Sequence, residues 1–334
     1  MVFMRIAIVK LSALGDIVHA MIALQLIKKY HKTTSIDWFV EENYKELLEH
    51  HPEINKVHVI NLKKAKHKKS IFLFFKELRR VRKLGYYDLV IDMQGLIKSA
   101  IVSKMIPSGI TIGFDRFSSR EGFSALFYNK RLNYGYEKNV IERNIALVEF
   151  AIGLHVNEQD IINKAPILFS SQKYLMADLS NTKKNILIIP GASNKLKCYP
   201  ISNLAKLTEL IDENFLIIWG NENEKMMADQ IKIISPKVHI CNKLSIDSLI
   251  SLISQMDLVI GPDTGPTHMA WGLNIPSITL FGLTPGDRNT YITKINKIIE
   301  SNSVVNPKKI NKMDNSIKNI SLSDIEVLIK KLLR

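Results

Sequence analysis

A polar turn near the C-terminus, containing glycine and proline, is the segment best suited to chemistry. It follows an apolar run at residues 258–260, which predicts a buried strand, and it opens a helix that continues through Ala270. The free N–H groups and the positive dipole of such a helix start favour a phosphate or diphosphate. A plain strand–helix turn without a ligand is the alternative. The residues of this turn are Asp263, Thr264, Gly265, Pro266, Thr267 and His268.

A second turn of this kind lies near the N-terminus. Residues 6–9 predict a buried first strand, and apolar residues at helical spacing follow the turn at residues 12–16. Asp16 therefore lies at the start of a helix, beyond the carboxyl end of a strand, which is where open α/β sheets bind ligands. Asp is also a preferred N-cap residue, so a purely structural role for Asp16 stays open.

A third turn, residues 190–200, follows the apolar run 186–189 and holds Ser193 and Lys197. Lysine often contacts phosphate as a point charge, although an exposed loop lysine is the more ordinary case. The chain contains no G-x-G-x-x-G, no Walker P-loop and no D-x-D motif. A helix start and a cation therefore remain as the means to neutralise a diphosphate without a metal.

Glu222 stands just after a fourth predicted strand, in the sequence Trp219-Gly-Asn-Glu. An acidic residue at the carboxyl end of a strand can bind ribose hydroxyls, as in dinucleotide-binding folds. Alternatively, Asn221 and Glu222 only begin the next helix.

Strand-like and helix-like runs alternate along the whole chain, which predicts α/β architecture with two Rossmann-like parallel-sheet domains. The 334 residues suit two domains of about 150 residues each. We predict an N-terminal domain at 1–170, a second at 171–320 and a terminal helix at 321–334 that packs back on the first domain; the polar stretch 170–185 is the predicted hinge. Predicted strands are 4–10, 35–40, 57–60, 88–92, 110–113, 185–190, 214–219, 237–241, 257–260 and 277–281. Predicted helices are 16–30, 42–50, 70–84, 96–106, 139–153, 201–212, 222–234, 246–255 and 265–273.

Bulk composition excludes several classes of protein. No apolar stretch approaches the roughly 20 residues that span a bilayer, and the N-terminus does not have the pattern of a signal peptide. Only Cys198 and Cys241 are present, so we expect no disulfide framework and a reducing, cytoplasmic environment.

The net charge of +14 is concentrated in residues 63–83, which hold ten Lys or Arg and a single acid, Glu77. The same run contains the apolar segment 71–75. A basic amphipathic helix of this kind fits contact with an anionic membrane, a plain solvated face or, less well, nucleic acid. No helix-turn-helix, zinc-finger or ribonucleoprotein signature supports the last of these.

Taken together, these motifs resemble the ADP-heptose:lipopolysaccharide heptosyltransferases, which form glycosyltransferase family nine and have the GT-B fold. The resemblance covers essentially the whole chain and rests on the segments 10–20, 190–197, 219–222 and 261–268. Segments 91–100 and 119–129 are similar to heptosyltransferase I, the type that adds the first heptose to Kdo. Tyr199 departs from the tryptophan often found there in the family, although an aromatic ring is kept.

The resemblance implies an inverting glycosyltransferase that needs neither metal nor cofactor. Asp16 would be the general base, and Lys197 would stabilise the departing ADP. The implied donor-binding residues are Ser193, Lys197, Glu222, Asp263, Thr264, Gly265, Pro266, Thr267 and His268. The implied acceptor-binding residues are Ser12, Ala13, Gly15, Gln94, Lys98 and Arg120, with Lys63 and Lys64 from the basic run.

The implied reaction moves heptose from ADP-heptose to the Kdo residue of Kdo–lipid A, in the inner core of lipopolysaccharide. The enzyme would be a monomer at the cytoplasmic face of the inner membrane and would not bind nucleic acid. Two alternatives are a family member with another acceptor, such as heptosyltransferase II, and a non-catalytic basic protein that binds membrane or nucleic acid. The second must treat Asp16, Lys197, Glu222 and Asp263 as a coincidence.

Overall fold

The computed structural model describes residues 4–62, 64, 70–172 and 178–334 of the chain. The chain folds as two compact units, Met1–Ile167 and Leu168–Arg334. The predicted domain boundary, after residue 170, lies three residues beyond the division between these units. Each unit is built around its own parallel sheet.

The first unit contains a six-stranded sheet in the order β3-β2-β1-β4-β5-β6, with every neighbouring pair parallel. This is the strand order of Rossmann folds, in which the chain direction across the sheet reverses between β1 and β4. Ile8 in the central strand pairs with Trp38 on one side and Ile91 on the other, and all three are buried or nearly so. The strands are β1 (Arg5–Val9), β2 (Ser35–Glu41), β3 (Lys56–Ile60), β4 (Tyr87–Asp92), β5 (Ser108–Phe114) and β6 (Lys130–Leu132).

Helices cover this sheet because each presents an apolar side to it. The apolar positions predicted for the first helix are fully buried, at Ile17, Ala20, Met21, Leu24 and Ile27. The helices are α1 (Leu14–Tyr30), α2 (Ile71–Arg82), α3 (Ile97–Met105), α4 (Val140–Ile152) and α5 (Glu158–Ile162). The helix predicted at 42–50 is instead a 3-10 helix, Glu42–Leu47, in which only Leu47 is buried.

A buried polar network joins the strands of the first sheet at their amino ends. Asp37 is fully buried and accepts hydrogen bonds from Tyr87 at 2.5 Å and Asn55 at 3.0 Å; Arg5 and His58 nitrogens lie 2.9 and 3.1 Å from its Oδ2. Burial alone would raise the pKa of Asp37, but these hydrogen bonds outweigh it and hold the pKa well below its usual range. The network lies at the sheet edge opposite the loops that follow the strands, so it serves stability.

The second unit repeats the topology of the first. Its six strands are all parallel, in the order β12-β11-β10-β7-β8-β9, and the chain direction reverses between β7 and β10. The strands are β7 (Asn185–Ile188), β8 (Asn214–Ile217), β9 (His239–Ile240), β10 (Leu258–Pro262), β11 (Ser277–Phe281) and β12 (Asn296–Glu300). The helices are α6 (Ile201–Leu210), α7 (Glu222–Ile234), α8 (Ile246–Ile253), α9 (Gly265–Gly272), α10 (Gly286–Asn289) and α11 (Leu322–Leu332).

The terminal helix α11 completes the core of the second unit. Its Ile325 and Ile329 are fully buried among residues of β7, β10 and α6, and the Tyr199 hydroxyl donates to the Ile320 carbonyl at 2.8 Å just before the helix. Within its own unit α11 also packs beside α6 and β11. The prediction that the tail packs back on the first domain concerns the two units together and stays a prediction.

Candidate active site

Many of the predicted site residues lie at the two points where the strand order reverses. Ser12 and Asp16 follow β1, and Gln94 and Lys98 follow β4; in the second unit the turn containing Lys197 follows β7 and the turn beginning at Asp263 follows β10. Adjacent loops leave in opposite directions at a reversal of this kind, which opens a crevice at the carboxyl edge of the sheet. Each unit therefore has its own strand-order reversal, with polar side chains beside it.

Asp16 lies in the first turn of α1 with an exposed side chain. Its Oδ2 accepts a hydrogen bond from the Ala13 N–H at 3.2 Å, so the carboxylate does cap its helix. The capping bond is single and exposed, which leaves the carboxylate accessible to a ligand. Gly15 beside it is buried, and Ala13 is exposed.

Gln94 fixes the loop that leads to Asp16. Its Oε1 accepts hydrogen bonds from the backbone N–H of Leu11 at 2.9 Å and of Ser12 at 3.1 Å. Lys98 Nζ lies 3.4 Å from the Ser12 hydroxyl and 4.0 Å from Glu41 Oε1, a buried carboxylate. The structure therefore brings Ser12, Gln94 and Lys98 together beside the start of α1.

Asp92, which was not among the predicted site residues, holds the main chain at Gln94. It is fully buried, and its Oδ1 accepts from the N–H groups of Gln94 at 2.8 Å and Gly95 at 3.3 Å, while Tyr128 donates to Oδ2 at 2.8 Å. Burial raises the pKa of Asp92 in spite of these bonds. A polar residue at the end of an apolar strand was the available signal.

The remaining acceptor candidates do not join this group. Arg120 and Lys64 are exposed, and within the described residues neither makes a hydrogen bond or ion pair to Ser12, Gln94 or Lys98. Lys63 lies outside the described residues.

Asp263 is the centre of the polar group in the second unit. Its Oδ2 lies 2.6 Å from Lys197 Nζ, and its Oδ1 lies 2.9 Å from His268 Nε2. Burial would raise the pKa of this carboxyl, but the hydrogen bond from His268 and the charge of Lys197 hold the pKa far below its usual range. Asp263 is therefore an anion at any physiological pH, and it fixes both neighbours.

Thr284 and Asn289 also bind Asp263, and the sequence analysis missed both. Thr284 Oγ1 donates to Oδ2 at 2.7 Å, and Asn289 Nδ2 donates to the same atom at 3.2 Å. Both residues follow β11, the strand that pairs with β10. Their position after a strand was the only sequence signal, since they are hydrogen-bonding partners only in the folded sheet.

Helix α9 begins directly after the turn, where the sequence predicted a helix start. Thr264 is the N-cap residue and makes no side-chain cap bond, so it does not occupy the first N–H groups of the helix; Pro266 in the first turn has no N–H of its own. Thr267 Oγ1 donates to the Pro262 carbonyl at 2.8 Å, and a Cβ on Gly261 would lie only 2.8 Å from that hydroxyl oxygen. Position 261 therefore requires glycine. Gly265 is partly exposed.

Lys197 ends a short 3-10 helix, Lys195–Lys197, in the turn after β7. Asn194 caps this helix, because its Oδ1 accepts a hydrogen bond from the Leu196 N–H at 3.0 Å. Ser193 in the same turn is exposed.

Two glutamates near the turn after β8 differ in exposure and in hydrogen bonding. Glu222 is the exposed first residue of α7. Glu224, two residues on, accepts a hydrogen bond from the Gly220 N–H at 2.7 Å, and a Cβ on Gly191 would lie 2.3 Å from its Cγ. Glu224 therefore connects the turn after β8 with the turn that carries Lys197.

Two Rossmann-type units, each with polar groups at its strand-order reversal, are the building blocks of GT-B glycosyltransferases. The solved structure of E. coli heptosyltransferase WaaC with ADP superposes on this chain with a TM-score of 0.80, covering 98% of this chain and 100% of that chain at 22% identity. This likeness confirms the predicted fold class.

Residues 71–320 match the sequence profile of glycosyltransferase family 9 (heptosyltransferase). Lipopolysaccharide heptosyltransferase 1 of Campylobacter coli is 40% identical over 98% of this chain and 99% of its own length. Lipopolysaccharide heptosyltransferase 1 of E. coli K12 is 27% identical over 85% of this chain and 89% of its own length. The chain belongs to glycosyltransferase family 9, as the motifs predicted.

In the described parts of the chain, no helix has both the length and the apolar character needed to cross a bilayer. Among the same residues, no group of three or more His, Cys, Asp or Glu side chains is placed to hold a metal ion.

Proposed function

We propose that this glycosyltransferase moves heptose from ADP-heptose to the Kdo residue of Kdo–lipid A, in the assembly of the lipopolysaccharide inner core. The observation that carries the proposal is the Lys197–Asp263–His268 group beside the start of α9, at the strand-order reversal of the second sheet. This arrangement offers a cation and free N–H groups to a diphosphate without a metal. The 40% identity to a lipopolysaccharide heptosyltransferase 1 supports the heptose donor and the acceptor.

The second unit would bind the donor. Lys197 and the N–H groups of Thr264, Gly265 and Thr267 would stabilise the negative charge as ADP departs, because preorganised donors stabilise charge that develops in the transition state. Ser193 would add a hydroxyl to the phosphates. Asp263 would accept from a heptose hydroxyl through Oδ1, whose one partner among the described residues is His268, and His268 would hold Asp263 in place.

The ribose would be bound by a carboxylate of the turn after β8. Glu222 is exposed and stays a candidate, but Glu224 is already held by the Gly220 N–H and packs against Gly191. Glu224 is therefore the better positioned of the two, because its place in the turn is set before any ligand binds.

The first unit would bind the acceptor. Asp16 would take the proton from the attacking sugar hydroxyl, a contribution typically worth about 10²- to 10⁴-fold. A single direct displacement inverts the anomeric carbon, so one base suffices and no covalent intermediate is needed. Ser12, Gln94 and Lys98 would position the acceptor next to this base, with the Lys98 ammonium directed to its carboxylates or phosphates. Ala13, Gly15, Arg120, Lys63 and Lys64 complete the proposed acceptor surface.

The acceptor is a lipid, so we further propose that the enzyme acts as a monomer docked on the cytoplasmic face of the inner membrane. The basic run at residues 63–83 supports this docking, because the surface of that leaflet is anionic.

The test is release of ADP when the purified protein is mixed with ADP-heptose and Kdo–lipid A in the presence of EDTA. Release that requires the acceptor and survives EDTA is the expected result. Release only with an already heptosylated acceptor would instead identify a later core heptosyltransferase. Absence of release with either acceptor would refute the proposed donor and acceptor pair.

A further inference from the structure

We propose that α2 and the 3-10 helix Gly122–Phe127 of the first unit, with Phe117 from the loop before that helix, together form a surface that inserts into an anionic lipid bilayer. We define this apolar–basic surface by its large exposed apolar residues, namely Ile71, Phe72, Phe75, Phe117, Phe123 and Leu126. The inference deepens the proposed function, on which it rests, by naming the residues that would hold the enzyme at its lipid acceptor.

Helix α2 has two apolar sides, and only one of them belongs to the core. Leu78 and Val81 are buried in the core of the first unit, with Phe74 packed against that core. Phe72 and Phe75 lie three residues apart, on another face of the helix, and are 72% and 54% exposed. A helix needs only its inner apolar stripe to pack on the sheet, so the outer phenylalanines are not explained by folding.

The 3-10 helix Gly122–Phe127 also has one buried side and one exposed apolar side, and its backbone is held in place by close packing. Ser124 and Ala125 are buried, whereas Phe123 and Leu126 are 75% and 71% exposed. A Cβ on Gly122 would lie 2.7 Å from the Arg116 carbonyl oxygen, so the loop before the helix packs tightly against it. The exposed pair is therefore presented by a fixed backbone.

Helix α3 links the two segments, because both α2 and the 3-10 helix pack against it. The Ile97 N–H at the start of α3 donates to Glu121 Oε2 at 2.7 Å, which ties the 3-10 helix to α3. The two apolar groups thus flank one helix of one unit.

Charge identifies the partner as an anionic bilayer. The exposed residues Lys76, Arg79 and Arg116 lie next to the apolar groups. The nearby acids all have partners: Glu77 pairs with Arg80 at 2.5 Å, Glu121 accepts from the Ile97 N–H, and Asp115 accepts from the N–H groups of Phe117 and Ser118. Aromatic rings beside basic side chains suit the interface of a membrane that carries negative headgroups.

The experiment measures sedimentation of the full chain with vesicles of phosphatidylcholine alone, or of phosphatidylcholine and phosphatidylglycerol in equal amounts. We expect binding to the anionic vesicles that weakens when salt is raised well above about 0.1 M, where the Debye length is about 10 Å. The double variants Phe72→Ser/Phe75→Ser and Phe123→Ser/Leu126→Ser should each lower the partition coefficient about tenfold or more, because each removes two inserted side chains. Ile233→Ser, at an exposed position of α7 in the second unit, is the matched control and should bind as the wild type does.

Equal vesicle binding by the wild type and both double variants would overturn the proposal. A wild type that does not bind vesicles would overturn it too, as would one that buries this surface in a stable dimer. ADP release with an acceptor stripped of its acyl chains separates this inference from the proposed function. Variants that lose vesicle binding but keep that turnover support the surface. A wild type that binds vesicles through this surface yet never releases ADP would leave the surface standing and refute the proposed reaction.

Discussion

Lys197 and Asp263 form an ion pair of 2.6 Å in which the side chains are 21% and 9% exposed. Asp263 is held on its other sides by His268, Thr284 and Asn289, so the carboxylate cannot turn away from the lysine. The ammonium is therefore placed at the edge of β7 and β10 before a ligand arrives. Two of its three N–H groups are used, by Oδ2 and, at 3.4 Å, by the Asp263 carbonyl oxygen, which leaves one for a phosphate.

Replacing Lys197 with Gln should weaken ADP binding about tenfold or more, since hydrogen bonds to charged groups are worth about 1.5–3 kcal/mol. Isothermal titration of ADP measures this directly. Lys195→Gln, which changes an exposed lysine of the same turn, is the control and should bind ADP normally. If the two variants bound ADP equally well, the cation of the donor site would have to lie elsewhere.

Asp16→Asn should lower the turnover number by about 10²- to 10⁴-fold and leave ADP-heptose affinity unchanged. Asparagine keeps an oxygen that can accept from the Ala13 N–H, so the helix cap survives while the base is lost. The measurement is single-turnover ADP release beside a donor titration. Asp324→Asn changes another exposed first-turn carboxylate, in α11, and should have no effect. Turnover within a few-fold of the wild type would assign the base to another residue.

Glu224→Gln and Glu222→Gln should differ in their effect on donor binding. The first weakens the contact with the Gly220 N–H and replaces the carboxylate beside Gly191, so ADP affinity should fall about tenfold or more. The second changes an exposed side chain and should have little effect. Comparing ADP affinity with that for the diphosphate of a nucleoside lacking the ribose hydroxyls locates the contact. A larger loss in Glu222→Gln would reverse the assignment.

Asp37→Asn should destabilise the first unit by about 2 kcal/mol or more, because it removes the charge that four buried or half-buried groups share. The folded pKa of Asp37 lies below the unfolded value of about 3.9, so this stabilisation is fully present above about pH 4–5 and is lost as the pH falls further. Urea unfolding at neutral and acidic pH measures the free energy of unfolding of both proteins. The difference between variant and wild type should become smaller in acid. Asp212→Asn, at a side chain that is 88% exposed, should leave stability unchanged. A difference in the free energy of unfolding that became larger in acid would contradict the sign of the pKa shift.

The positions of the central strands and long helices along the chain were predictable, because each buried strand is an apolar run and each long helix has an apolar stripe. The edge strands β6 and β12 were missed. Their sequences begin or end with charged residues, and edge strands need only one apolar side. The short helices α5 and α10 bury too little to leave a pattern.

The positions of candidate residues in the fold were predictable where a polar residue lies in the turn after a strand, as at Asp263, or at the helix start beyond it, as at Asp16. They were less predictable where contact depends on the folded sheet, as for Thr284 and Asn289. Glu222 and Glu224 show the remaining difficulty. Residues two apart on a helix point to different sides, and the sequence does not tell which side meets the neighbouring turn.

The burial of Ile325 and Ile329 has a consequence for biosynthesis. The first unit has all its residues once position 167 has emerged from the ribosome, and domains generally fold in that order. The second unit lacks two core side chains until α11 has been made, so its apolar interior stays open until then. A stop codon placed just before α11 should therefore yield a folded first unit joined to an aggregation-prone second one.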